Sequence, residues 1–295
     1  MIGELSALLT AFLWSITSLL FANAVSRIGS VQLNVSRQII ALIFLSTVIF
    51  LFGFDLSLTA RQILFLGLSG FVGLTFGDTF LFLAYREIGA RISMLIMSLS
   101  PAVAAVLAFF LLKEKLSFLT IIGMTVTLSG ILLVVYDKNG KQENGINYLG
   151  LFFAFLASVG QGIGLVLAKN AFLESNNSLN GFVATFIRLF ASISILLPVS
   201  LIMKKFKNPI IVFQKDPKAF LLTVGGSIAG PFLGITFSLI AVSHTKVGIA
   251  STIMALPPVI MLPLVKYFYN EKLNFRAVVG AFIAVFGVAI LFLRN

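Results

Sequence analysis

One stretch of this chain occurs twice. Residues 98–134 read SLSPAVAAVLAFFLLKEKLSFLTIIGMTVTLSGILLV, and residues 255–291 read ALPPVIMLPLVKYFYNEKLNFRAVVGAFIAVFGVAIL. Pro101 aligns with Pro258, Glu114 with Glu271, Lys115 with Lys272, Gly123 with Gly280 and Gly130 with Gly287, each pair 157 positions apart. Each copy is an apolar run entered through proline, a short charged Glu-Lys-Leu hinge, and a second apolar run with glycines seven apart. Two apolar runs joined by so short a hinge form a helical hairpin, and a fold that carries the hairpin twice is a repeat architecture.

The composition decides what surrounds those hairpins. Hydrophobic residues make up 59% of the 295 and charged residues only 11%, where soluble domains carry about a quarter charged. The charges gather between long apolar runs, the pattern of a polytopic membrane protein. The net charge of +11 therefore reads as loop Lys and Arg beside anionic membrane lipid, not as a nucleic-acid surface. The absence of cysteine excludes disulfides, thiolate catalysis and Cys-ligated metal. His244 is the sole histidine and sits at a span end, so it reads as an interfacial residue and leaves no His-ligated metal cluster. No glycine-rich phosphate loop appears, which argues against ATP-driven pumping. No cofactor is expected.

Taken in order, the apolar runs predict ten membrane helices. The first covers residues 5–24; it has Glu4 ahead of it rather than a basic segment, so it reads as a retained span and not a secretory signal. The next two cover 34–52 and 62–85, separated by loops at 53–61 and 86–91. The first hairpin supplies spans four and five. The polar segment DKNGKQENGIN at 137–147 divides the chain into 1–143 and 144–295. Spans six to eight follow at 148–167, 181–203 and 219–242, with the longest loop, 204–218, between the last two. The second hairpin completes the set. Each run has the roughly 20 residues a bilayer-crossing helix needs.

The early spans repeat too, with drifting spacing. Gly3, Ala7 and Asn23 match Gly150, Ala154 and Asn170 at an offset of 147; Arg37 matches Arg188 at 151; Gly73, Gly77 and Phe80 match Gly230, Gly234 and Phe237 at 157. The unit is thus five helices. Because five is odd, the second copy enters the membrane from the opposite face. The predicted fold is an all-α integral membrane protein built of two inverted five-helix repeats, the construction of secondary transporters that rock about a midplane site.

These features resemble the EamA-type family of the drug/metabolite transporter superfamily, over nearly the whole length. The resemblance rests on the doubled five-helix unit, the Pro…Glu-Lys-Leu…Gly…Gly hairpins, and an Arg near the start of spans two and seven. It implies ten helices around a central cavity, carriage of small organic solutes such as amino acids, often by export, and both termini in the cytoplasm. A bacterial inner membrane is the expected location, and a monomer or homodimer the expected state.

Ionisable groups inside apolar spans are costly and face a cavity or a partner. Asp78, deep in span three among Gly73, Thr75, Gly77 and Thr79, reads either as a cation-binding or proton-coupling carboxylate or as the partner of an arginine; a proton is the candidate coupling ion. Arg37 and Arg188, being duplicated, read as structural or gating residues before substrate ligands. Trp14 and Gln161 occupy matching mid-span positions and could line a cavity from opposite sides, with ordinary packing as the alternative for Trp14. Tyr85, Ser98, Ser100, Thr236 and Ser238 are weaker candidates, since Ser and Thr in spans often bond their own backbone. Pro231 should kink span eight. Gly280 and Ala284 suit tight packing of span ten.

Asp78 has no second carboxylate in another span's interior, which argues against an intramembrane hydrolase. A small-molecule carrier is the primary reading and a lipid or lysolipid translocase the alternative. Short basic loops resist translocation. Of the 21 Lys and Arg, 6 fall on the terminal face and 14 on the other, with Arg188 mid-span. Charge therefore predicts non-cytoplasmic termini, against what the resemblance implies.

Overall fold

The computed structural model of the chain describes residues 1–135, 147–174, 179–269 and 275–293. Among these, eight helices are long and apolar enough to cross a membrane, and the shorter apolar helices Phe118–Leu133 and Val247–Pro263 complete the expected ten. The first half comprises α1 (Ile2–Ile28), α2 (Ser30–Phe52), α3 (Ala60–Gly70), a π-helical segment (Phe71–Gly77), α4 (Asp78–Met97), α5 (Ser100–Leu111) and α6 (Phe118–Val135). The second comprises α7 (Tyr148–Leu173), α8 (Gly181–Ile202), α9 (Pro209–Lys215), α10 (Pro217–Ser227), a π-helical segment (Ile228–Gly234), α11 (Ile235–His244), α12 (Val247–Met254), α13 (Pro257–Tyr269) and α14 (Phe275–Leu293). Helices suit this chain because hydrocarbon offers backbone groups no partners outside their own segment.

Local chemistry sets the ends. Thr59 and Gln62 form a reciprocal cap: the Gln62 amide donates to Thr59 Oγ1 at 3.2 Å and the Thr59 amide to Gln62 Oε1 at 2.9 Å. Asn180 Oδ1 accepts from the Phe182 amide at 2.8 Å at the start of α8. Gly29, with φ of 81°, turns the chain between α1 and α2 within one residue, a conformation that favours glycine.

Four details differ from the sequence reading. The 86–91 connection is tighter than expected: helix continues to either side of Gly89, whose φ of 72° and ψ of 168° turn the chain between the separate spans Ala60–Ala90 and Ile92–Leu111. The segment 204–218 is not all loop, because Pro209 opens the short helix α9 and Pro217 already belongs to α10. Spans four and nine are each broken, at Ser98–Leu99 and Ala255–Leu256, sites 157 positions apart. Span eight is π-helical around Pro231. The same π geometry occurs at Phe71–Gly77, 157 positions earlier, where there is no proline. Proline is therefore not its only cause; the glycines common to both segments are Gly73 and Gly77, and Gly230 and Gly234. The 143–144 division and the second Glu-Lys-Leu hinge lie outside the described residues.

The halves interlock by exchanging partners. α7 lies across the π segment of the first half, where a Cβ on Gly164 would come 3.2 Å from the Gly73 Cα and one on Gly160 3.0 Å from the Gly77 Cα. α1 lies across the π segment of the second half, where a Cβ on Gly230 would meet Thr17 Cγ2 at 2.7 Å. The second arms of the two hairpins, α6 and α14, pack on each other. A Cβ on Gly130 would lie 2.6 Å from the Gly280 carbonyl oxygen and 2.7 Å from the Ala284 Cα, so backbones meet there with no space for a side chain.

Candidate functional site

The swapped packing leaves a narrow cavity of about 80 Å³ between the halves. α1 contributes Trp14, Thr17, Ser18 and Phe21; α2 contributes Arg37; α4 contributes Asp78, Phe82 and Tyr85. From the second half come Gln161 of α7, Arg188 of α8, Pro231 of the π segment, and Ile235 and Ser238 of α11. Both π segments border it, through Leu74 and through Gly230 and Pro231; such insertions recur at functional sites because they re-aim side chains and loosen the backbone ladder.

Arg37 is held on every side. Its guanidinium pairs with Asp78 Oδ2, and its Nε and Nη2 donate to Asn34 Oδ1 at 3.1 and 2.9 Å. Gln38 Nε2 donates to the same oxygen at 3.1 Å, while Asn34 Nδ2 donates to Thr79 Oγ1 at 2.9 Å. The guanidinium also lies over the rings of Phe82 at 4.9 Å and Phe21 at 5.8 Å, within cation–π range. Of the two readings of Asp78, the geometry supplies the arginine partner and also leaves the carboxylate on the cavity wall, its side chain 14% exposed. Asn34, Phe21 and Phe82 are members of this cluster that the sequence reading passed over. Asn34, Arg37 and Gln38 stand at i, i+3 and i+4 in an otherwise apolar span, a spacing that puts three polar groups on one face and could have exposed them.

Arg188 is placed differently. It is 2% exposed, its Nε finds no hydrogen-bond partner, and it forms no ion pair among the described residues. It sits close because Gly70 and Gly73 lack side chains: a Cβ on Gly70 would lie 2.9 Å from its carbonyl carbon, and one on Gly73 3.1 Å from its Nη2.

The remaining candidates divide. Tyr85 lines the cavity and its hydroxyl donates to Met94 Sδ at 3.2 Å. Ser98 and Ser100 line a second, smaller cavity of about 20 Å³. Trp14, Met94, Met97 and Gln161 border both cavities, so these four side chains form the partition between them. Thr236 is not on either wall; its hydroxyl donates to the Phe232 carbonyl at 2.5 Å and lies 3.1 Å from Thr185 Oγ1. His244 Nδ1 lies 2.8 Å from Ser243 Oγ at the end of α11.

At the face that carries Met1, polar contacts gather at the ends of the helices, and those of Glu114 and Glu4 cross between the halves. Lys169 Nζ donates to the carbonyls of Val242 at 2.6 Å and Ser243 at 3.3 Å, capping the end of α11. Glu114 Oε2 accepts from the Val247 amide at 2.9 Å; burial pushes its carboxyl above the usual carboxylate range, against that hydrogen bond. Thr245 Oγ1 donates to Glu4 Oε1 at 3.2 Å. No group of three or more His, Cys, Asp and Glu that could hold a metal occurs among the described residues.

No curated protein matches the chain. A solved protein crystal structure superposes with a TM-score of 0.78 at 17% sequence identity, covering 99% of this chain and 96% of its own. A likeness at that identity shows the shared fold and nothing finer. The EamA-like transporter family model matches residues 1–136 and again 148–293, the two halves that the internal offsets mark out. Members of that family are transporters rather than enzymes, and this chain, an integral multi-pass membrane protein, belongs to the EamA-like transporter family of the drug/metabolite transporter superfamily.

Proposed function

We propose that this protein is a secondary transporter that exports small organic metabolites, amino acids or related solutes, across a bacterial inner membrane. One observation carries the reading: a cavity between the inverted halves takes its walls from both of them. Rocking of one half against the other about such a site exposes it to each face in turn. The polar ties at the Met1 face would hold that side shut in one state, and the partition of Trp14, Met94, Met97 and Gln161 would be the barrier that cargo must pass. Asp78, paired with Arg37 beside the cavity, is the candidate coupling group, with a proton as the candidate ion. Its carboxylate can gain or lose a proton only by weakening or strengthening that pair, which links protonation to helix packing.

The test is purified protein in proteoliposomes with a solute gradient imposed across the bilayer. Saturable counterflow of an amino acid or related metabolite, faster than in empty vesicles, is the expected result. Movement of fluorescent lipid between leaflets without solute counterflow would instead assign the protein as a lipid translocase, and neither activity would refute transport.

A further inference from the structure

The two halves are not chemically equivalent at the cavity. Arg37 and Arg188 are repeat counterparts, and both line it. The π segments correspond at an offset of 157 positions, and on that offset the residue that follows each segment is Asp78 in the first half and Ile235 in the second. Both of these also line the cavity. The first arginine therefore has its carboxylate in contact, whereas the second has an isoleucine at the matching place and meets Asp78 only through longer-range attraction. The structure agrees with the alignment. Arg37 is paired and hydrogen-bonded, whereas Arg188 is buried with an unpartnered Nε. Among the charged residues on the wall, two guanidiniums stand against one carboxylate.

An unpaired charge in the membrane interior is costly unless it is completed by an opposite charge. A guanidinium presents a planar fork of donors that fits a carboxylate in two-point contact. The walls of the cavity are aromatic and apolar, with Trp14, Phe21, Phe82 and Tyr85. We infer that Arg188 is the anion-binding residue of the cavity and that the cargo is a small monocarboxylate with an apolar or aromatic body. The carboxylate of the cargo occupies the role that Asp78 fills for Arg37. The inference rests on the transporter reading above and names the class of solute.

Trp14 is the only tryptophan and lines this cavity, so its emission reports occupancy without a label. The full chain, reconstituted in lipid nanodiscs, is titrated with phenylpropionate, with phenylethylamine and with inorganic phosphate. Phenylpropionate should shift Trp14 emission saturably, and the amine and phosphate should not. Arg188→Gln should weaken phenylpropionate binding by roughly tenfold or more, the scale of one charge-assisted hydrogen-bonded contact. Ile235→Asp, which restores the missing carboxylate inside the protein, should weaken it as well while leaving the melting temperature equal or higher, and it covers the case in which Arg188→Gln fails to fold. No response to phenylpropionate, a response to the amine or to phosphate of equal strength, or unchanged binding by either variant overturns the assignment. Counterflow of a cationic or neutral solute in proteoliposomes alongside such a failure would leave the transporter reading standing and remove only the role of Arg188.

Discussion

Replacing Asp78 by asparagine removes one charge from the Arg37 cluster and leaves its shape nearly unchanged. Taking one partner from a buried ion pair costs about 3–5 kcal/mol, because the other charge is left uncompensated. Part of that is recovered here. Arg37 keeps two donors on Asn34 Oδ1, and the carbonyl of the introduced amide can still accept one hydrogen bond. The ring of Phe82 at 4.9 Å supplies about 0.5–2 kcal/mol more. The net loss should be about 2–4 kcal/mol, a fall in melting temperature of roughly 5–10 °C, read from Trp14 emission in detergent. The same variant should lose the pH-dependent component of transport while still reaching the membrane. Arg37→Met combined with Asp78→Leu should melt above Asp78→Asn alone, because the double change removes both charges and the single change strands one. An Asp78→Asn protein that melts with the wild type and transports with the same pH dependence would refute both the pairing energy and the coupling role.

Gly130→Ala should destabilise the contact of α6 with α14 by about 2–3 kcal/mol, since the added methyl meets backbone of Gly280 and Ala284 that cannot rotate away; wild-type melting would count against it. Lys169→Met should cost about 2 kcal/mol through the lost charge-assisted bonds to the end of α11, and should speed opening at the Met1 face, measured as faster labelling of a cysteine placed at Thr245. For Glu114 the folded-state pKa lies above the unfolded one, so its contribution to stability is present at low pH and lost as pH rises through the raised value; Glu114→Gln should flatten that part of the melting-versus-pH curve, and an unchanged curve would contradict the burial argument. Cysteines placed at Lys115 and Lys272 in this cysteine-free chain should label from opposite sides of the membrane with an impermeant reagent, and labelling of both from one side would overturn the inverted topology. Alkaline phosphatase fused after Asn295 should be active if the loop charges orient the chain, whereas a fluorescent cytoplasmic reporter there would favour the orientation that the family resemblance implies.

The large-scale architecture was legible because it is written at fixed offsets. Ten apolar runs, two hairpins and matching glycines need only counting, and Gly280 and Ala284 pointed to tight packing of α14 without naming α6 as its partner. What was not legible depends on departures from regular geometry. A 3.6-residue period cannot show that Phe71–Gly77 and Ile228–Gly234 are π-helical, because one added residue in the turn moves every later side chain onto a new face. Nor can it show how short the connection at 86–91 is, since the charges of Arg86, Glu87 and Arg91 look like a loop while Gly89 alone makes the turn. Asp78 and Arg37 stood out singly as charges in apolar spans, but their pairing follows from the packing of α2 beside α4, which neither span encodes alone.

The proposed anion site lies where the repetition fails. Symmetry explains why two arginines and two π segments surround one cavity, since an inverted repeat brings corresponding elements to a common midplane. It does not explain function, because a symmetric wall with two satisfied ion pairs would offer an anion nothing. One break on the wall, Asp78 against Ile235, leaves one guanidinium in contact with a carboxylate and the other with none in contact. That asymmetry was available in the sequence as soon as the offset of 157 was known, in a mid-span column where the two copies disagree about charge. Charge mismatches among the loops carry no such message, because water and lipid headgroups complete those charges whichever residue stands there. In a doubled membrane fold the matching columns therefore specify the scaffold, and a mismatched ionisable column inside a span is the place to look for cargo.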